Sequence, residues 1–288
     1  MEARIGGVRV WLKLESLQPT GSFKVRGALA AIDHVARTAP GRTVVTCSAG
    51  NHGLGVAFAA ATLEVAATVV VPKTASLAKV DKLASSAVEL VLAGDTYDEA
   101  EAIALDLAAS RGSLYVSPYN DALVIAGQAT VAAEILSEHP TASDIVVSVG
   151  GGGLLAGTIL GTAGHAVRVH GALVEQNAAF ATMLRGDHVD ESQLEHTIAD
   201  GLAGGIEAGT VTLDIARTEG VELHLVTEVM VRHALSRSLF EAGVVMEGAS
   251  AVAVAAGTER PSSFGDEVVI VVSGRNITEE LLRSVLSD

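Results

Sequence analysis

A chain of 288 residues with 34 acidic against 19 basic side chains, a net charge of −15, is a poor partner for nucleic acid or an anionic membrane. With 49% hydrophobic and 18% charged residues it reads as a folded globular protein, long enough for a sizeable core and two lobes. No apolar run reaches membrane-spanning length and no charged-then-apolar leader opens the chain, so a cytoplasmic location is expected; the one cysteine, Cys47, excludes an internal disulfide or a multi-cysteine metal site.

Short β-branched runs alternate with Ala-rich helical stretches, the pattern of an α/β protein with a largely parallel sheet. The first predicted strand, 8–14, runs into Pro19-Thr20-Gly21-Ser22-Phe23-Lys24 and a predicted helix over 27–37. Lys24 thus stands near a helix N-terminus with its stem toward the core. Burial there favours the neutral amine, which can condense with an aldehyde. A lone lysine in a first helical turn is more often an ordinary surface residue, so other motifs must support the chemical reading.

The next strand, 43–47, leads directly into Ser48-Ala49-Gly50-Asn51-His52-Gly53 and a helix over 53–62. This turn puts a hydroxyl, an amide and successive backbone N–H groups at the carboxyl end of a strand, where ligands of open α/β sheets bind and where a carboxylate is well held. An N-cap followed by a turn explains the same residues equally well. Strands are then predicted over 67–71, 88–91 and 114–116, with helices over 75–84, 96–110 and 124–139.

The strand 145–149 is apolar on both faces, as expected of a sheet covered by helices, and ends in Gly150-Gly151-Gly152-Gly153 before a helix over 154–161. Four glycines pack nothing and cost conformational entropy, but they let backbone close on an oxygen-rich anion such as phosphate at a helix N-terminus. Strands over 167–174, 223–226 and 268–272 and helices over 210–218, 228–242 and 248–256 complete the pattern. Gly151-x-Gly153-x-x-Ala156 followed by Glu175 also fits a dinucleotide-binding fingerprint, which leaves a nicotinamide-dependent oxidoreductase open on those residues. That reading gives Lys24 and residues 48–53 nothing to do. A cofactor with one aldehyde and one phosphate, as in pyridoxal phosphate, uses all three motifs.

Taken together, these motifs resemble the fold type II pyridoxal-phosphate enzymes, in particular the threonine/serine dehydratase and serine racemase branch. The resemblance runs from about Val8 to the C-terminus. It rests on residues 20–28 and 48–53, on Val124-Ile125-Ala126-Gly127-Gln128, on residues 150–154, on Ile198-Ala199-Asp200-Gly201 and on Ser273-Gly274-Arg275-Asn276. It implies two open, twisted, mostly parallel sheets covered by helices. A large cofactor domain would comprise 1–44 and 123–288, with a smaller α/β domain, 45–122, inserted. Lys24 would carry the cofactor covalently, Phe23 would pack beside its ring and Asn51 would hydrogen-bond its ring hydroxyl. Gly150, Gly151, Gly152, Gly153 and Leu154 would hold its phosphate, with Ser273 facing the pyridine nitrogen and Glu247 near the ring. Ser48, Ala49, Asn51 and His52 would surround the substrate carboxylate, with Tyr119 also lining the substrate.

The reaction this implies is β-elimination of water from a small β-hydroxy-amino acid such as L-threonine or L-serine, giving a 2-oxo acid and ammonia. Alternatives are an amino-acid racemase of the same family and a cofactor-binding protein without catalysis. Ala49 stands where the racemases of this branch carry a second serine as acid on the face opposite the lysine, which favours the dehydratase. Tyr119, where the racemase has asparagine, points the same way. At the family's metal site Glu175 and Ala179 would supply two ligands, but Ala181 replaces the aspartate, so no tight divalent ion is expected there. The family's leading helix and Thr-Pro-Leu segment are not seen ahead of Val8, no regulatory domain is expected after Asn276, and a homodimer is implied. Cys47 reads as a small core residue, and His165, His170, His188, His196, His224 and His233 read as surface or cap residues without metal-ligand spacing.

Overall fold

The computed structural model describes residues 1–190, 194–207 and 209–287. The chain separates into two compact units, Met1–Gly21 with Ala129–Asp288, and Ser22–Gln128. Each is an α/β layer structure around its own sheet.

In the larger unit a six-stranded sheet has the order β1-β2-β10-β7-β8-β9, formed by Glu2–Ile5, Val8–Leu14, Val268–Val272, Asp144–Ser148, Arg168–Val174 and Glu222–Val226. All pairings are parallel except that of β1 with β2. Strand β1 is absent from the sequence reading, yet its signal is present. Gly6 and Gly7, with φ of +59° and +83°, join Ile5 to Val8 across a two-residue turn whose backbone demands positive φ. The fully buried strands β7 and β10 read as unbroken Ile/Val because helices cover both faces. Helix α10, Gly248–Glu259, is buried along nearly its whole length, and its run of Ala, Val and Gly lets it lie close against the sheet.

The smaller unit holds a wholly parallel four-stranded sheet in the order β5-β4-β3-β6, from Glu89–Leu92, Ala67–Val71, Val44–Cys47 and Leu114–Tyr115. Helices α1 (Lys24–Thr38) and α2 (Asn51–Thr62) pack on each other and share a core of Ala28, Ile32, Val35, Val56 and Ala60 with β3. For that reason residues 22–44 group with the smaller sheet, as do 123–128 from the start of α5 (Ala122–Glu138), whereas the sequence reading assigned both to the larger domain.

In each sheet one strand has its successor on one side and a later strand on the other. In the smaller sheet β3 lies between β4 and β6, and in the larger β7 lies between β8 and β10. Such switch points open a crevice at the carboxyl ends of the strands. Ser48 follows β3, Val149 and the glycine run follow β7, and Ser273 follows β10.

Two histidines depart from expectation. His170 and His224 are not surface residues: they stand on β8 and β9 with side chains 1% and 4% exposed. Asp144, fully buried on β7, meets His170, Arg168 and the Gly265 N–H. Burial opposes charge on Asp144, but hydrogen bonds from Gly265, Ser143 and His170, with Arg168 nearby, hold its carboxyl below the usual range.

Candidate active site

In the smaller unit Lys24 is the first residue of α1, three residues earlier than the predicted helix start, with Phe23 as its N-cap. Its Nζ donates to the Pro118 carbonyl at 2.8 Å and lies 5.2 Å from the centre of the Phe23 ring, a cation–π distance. Three glycines bring backbone close around this turn. A Cβ on Gly55 of α2 would stand 3.1 Å from the Lys24 carbonyl carbon and oxygen. One on Gly127 of α5 would stand 2.6 Å from the Arg26 oxygen and the Gly27 Cα, and one on Gly27 would meet Val124 at 2.8 Å. Gly27 and Gly127 therefore let α1 and α5 cross at backbone contact, which gives a physical reason for glycine in both of those motifs.

At the end of β3 the Ser48 Oγ accepts from the Gly50 N–H at 3.2 Å, and Asn51 opens α2 with Gly50 as its N-cap. Gly53 is required because the Ser48 carbonyl lies against it. His52 is 2% exposed. Its Nε2 lies 3.1 Å from the Val116 carbonyl, which can only accept, so Nε2 carries the hydrogen and Nδ1 is a lone-pair acceptor. That Nδ1 is buried with no hydrogen-bond partner among the described residues. Burial, reinforced by the Lys24 charge, lowers the His52 pKa to about 3, so the ring is neutral near pH 7. Ala49 and Tyr119 are half-buried, Ala49 in this turn and Tyr119 just after Pro118.

In the larger unit Gly150, Gly151 and Gly152 form the turn after β7, and α6 runs Gly153–Gly161, so Leu154 lies in its first turn. Gly152 has φ +85°, and a Cβ there would press on Phe180 and on Thr212, the latter at 2.9 Å. Thr212 Oγ1 donates to the Gly151 carbonyl at 2.8 Å and fixes the turn. The first N–H groups of α6 have no intrahelical partner, which makes this cradle suited to an oxygen-rich anion.

Ser273 is 3% exposed and 3.0 Å from Ser250 Oγ. Ser250 gives its one hydrogen to the Gly274 carbonyl and accepts the Gly274 N–H, so the Ser273 hydroxyl is the donor to Ser250. Glu247 caps α10, and its carboxylate accepts from the Asn276 N–H at 3.0 Å; a side chain on Gly274 would collide with it. Glu175 is exposed at the start of a short 3-10 turn, while Ala179 and Ala181 are buried in α7, Ala179–Leu184.

The structure groups Lys24 with Ser48 and His52 in one unit and the glycine run with Ser273 and Glu247 in the other, whereas the sequence reading placed Lys24 in the larger domain with the glycine run. That reading missed Pro118, Thr212 and Ser250, which act through a carbonyl or hydroxyl at long sequence separation and have no local pattern. In the smaller unit the unpartnered buried nitrogen of His52 fits a ligand that brings a hydrogen-bond donor, and in the larger unit the glycine cradle at α6 fits a phosphate, both of which pyridoxal phosphate carries.

The comparisons agree with this chemistry. An L-threonine ammonia-lyase of Thermotoga maritima is 36% identical over 287 residues, 99% of this chain and 71% of that protein. Among solved structures, a processed threonine deaminase isoform 2 from Solanum lycopersicum superposes with a TM-score of 0.89 at 30% identity, covering 98% of this chain and 83% of that one. A pyridoxal 5'-phosphate-dependent aspartate racemase superposes with a TM-score of 0.88 at 31% identity, covering 98% and 91%. The pyridoxal-phosphate dependent enzyme family matches residues 2–274, and with the lysine turn and the glycine cradle in place the chain belongs to that family.

Proposed function

We propose that this protein is an ammonia-lyase that dehydrates a small β-hydroxy-amino acid, L-threonine or L-serine, to a 2-oxo acid and ammonium. The observation that carries the reading is the 36% identity with an L-threonine ammonia-lyase across 99% of the chain. When bound, the cofactor supplies an electron sink for the pair left at Cα. Lys24 Nζ would hold the cofactor and, once displaced by the substrate amine, would be free to take the Cα proton. Ser48 and Asn51 would hold the substrate carboxylate at the α2 N-terminus, where the helix dipole favours negative charge; the neutral His52, its one hydrogen given to the Val116 carbonyl, has none to donate to that carboxylate and would instead brace the turn. Phe23 and Tyr119 exclude water on the ring and substrate sides. The glycine run with Leu154 grips the phosphate, and Ser273 and Glu247 position the ring. The hydroxyl and the Cα hydrogen depart as water, and hydrolysis of the released enamine returns one water and yields the 2-oxo acid and ammonium.

Likeness to an aspartate racemase favours a second reading, racemisation. It needs a proton donor on the face opposite Lys24, and the methyl of Ala49 holds no proton to give. We further propose a cytoplasmic homodimer, from family resemblance. No described helix is long and apolar enough to cross a membrane.

The test is 2-oxo acid release from a panel of hydroxy-amino acids, with chiral analysis of remaining substrate. Lys24→Ala should abolish the visible absorbance of bound cofactor and reduce turnover by ~10³-fold or more. Absorbance and turnover that survive the substitution, or a loaded enzyme inert to every hydroxy-amino acid, overturn the proposal.

A further inference from the structure

Strands β8 and β9 pair in parallel with His170 opposite Glu222, and His224 two residues further along β9. Period-two alternation therefore places His170, Glu222 and His224 on one face of the sheet, toward the amino ends of the strands. The glycine cradle and Ser273 follow the carboxyl ends of β7 and β10, so this cluster lies at the opposite edge of the same sheet.

His170 Nε2 lies 2.7 Å from Asp144 Oδ1, and His170 Nδ1 lies 3.1 Å from His224 Nε2. The carboxylate of Asp144 can only accept, so His170 carries its hydrogen on Nε2 and presents the Nδ1 lone pair to His224. One oxygen of Glu222 is 3.7 Å from His170 Nδ1 and the other 3.9 Å from His224 Nε2. Both distances are too long for hydrogen bonds, yet the carboxylate faces both nitrogens. Three ligand atoms, one from each residue, lie within 4.8 Å of one another. Phe264 packs on both imidazoles, at 4.9 and 5.1 Å, and supplies an apolar wall.

We propose that His170, His224 and Glu222 form a binding site for a divalent transition cation of the zinc type, with Asp144 as the carboxylate that orients His170. Tetrahedral coordination at ordinary zinc–nitrogen lengths separates two imidazole nitrogens by about 3.3 Å, close to the 3.1 Å present here. The carboxylate–imidazole–metal relay is the usual support for a ligating histidine. Two imidazoles and one carboxylate select Zn²⁺ or Co²⁺ over Mg²⁺ or Ca²⁺ and leave a fourth position for water. His224 reaches the metal through Nε2 by shifting its hydrogen to Nδ1, so the imidazoles release no net proton. Glu222, with a side chain 58% exposed, closes from solvent. The ion would clamp β9, the last strand at that edge of the sheet, onto β8.

The experiment uses holoprotein freed of metal by chelator and dialysis, then titrated with Co²⁺ and Zn²⁺. One equivalent of Co²⁺ should give the visible absorption of a four-coordinate ion at longer wavelength than the cofactor band, and Zn²⁺ should displace it. Zn²⁺ at a hundredfold excess over its dissociation constant should raise the melting temperature by ~5 °C. Glu222→Gln, at an exposed position, should remain folded and bind at least tenfold more weakly; His224→Asn should abolish binding. No cobalt band and no thermal shift in the wild type, or unaltered affinity in Glu222→Gln, overturns the assignment even where His224→Asn fails to fold.

Discussion

Replacing Gly127 with alanine probes the backbone crossing that positions the lysine turn. The added Cβ would stand 2.6 Å from the Arg26 oxygen and the Gly27 Cα and 2.8 Å from the Arg26 carbon, all backbone atoms with no rotamer to yield. Real Cβ contacts essentially never fall below 3.0 Å, so α1 and α5 must part by at least about 0.4 Å. Overpacking of this kind costs about 1–3 kcal/mol, and the gain in helix propensity from Gly to Ala returns about 1 kcal/mol. The expected net loss is about 1 kcal/mol, a fall of a few degrees in melting temperature. Activity should suffer more. Arg26 and Gly27 follow Lys24 in the same helical turn, and misplacement of a reacting group by ~1 Å costs about a hundredfold, so a fall of ~10-fold is expected here. Thermal unfolding and 2-oxo acid release measure the two effects. A variant that melts as high as the parent and turns over as fast would show that the crossing does not hold the lysine in place.

Three other perturbations have defined outcomes. Ala49→Ser places a hydroxyl where the racemases of this branch carry theirs, so D-serine should accumulate from L-serine; chiral chromatography that finds none sinks the explanation given for Ala49. His52, its pKa lowered to about 3 by burial and by Lys24, keeps its contribution to stability above pH 6.5 and loses it as pH falls toward 3, because only the unfolded chain gains the proton. Urea unfolding should show about 2 kcal/mol lost between pH 7 and 5 that His52→Gln does not lose, and parallel pH profiles would refute the assignment. Burial, with Glu101 and Asp98 adding, pushes the Cys47 thiol up to about 12. A thiol reagent at pH 8 should label it only after denaturation, and stability should decline as pH rises above about 9, where the unfolded thiol alone ionises. Rapid labelling of the native protein would contradict this.

What the chain alone determines is local. Val268–Val272 carries its strand in an unbroken β-branched run and Glu228–Ala242 its helix in its periodicity, and the lysine turn, residues 48–53 and the glycine run announce a cofactor with an aldehyde and a phosphate because backbone freedom and side-chain chemistry are local properties. Strand order, the grouping of α1 with the smaller sheet and the crossing of α1 and α5 at Gly27 and Gly127 depend on tertiary partners, up to the pairing of Leu12 with Ile270 from the two ends of the chain. Hydrophobic burial drives those associations; it marks which face of an element is buried but, being non-directional, not which partner covers it. The histidines show the difference most sharply. His170 and His224, 54 residues apart, become neighbours only when β8 and β9 pair in register, and parallel pairing of remote strands is a choice made by the assembled sheet.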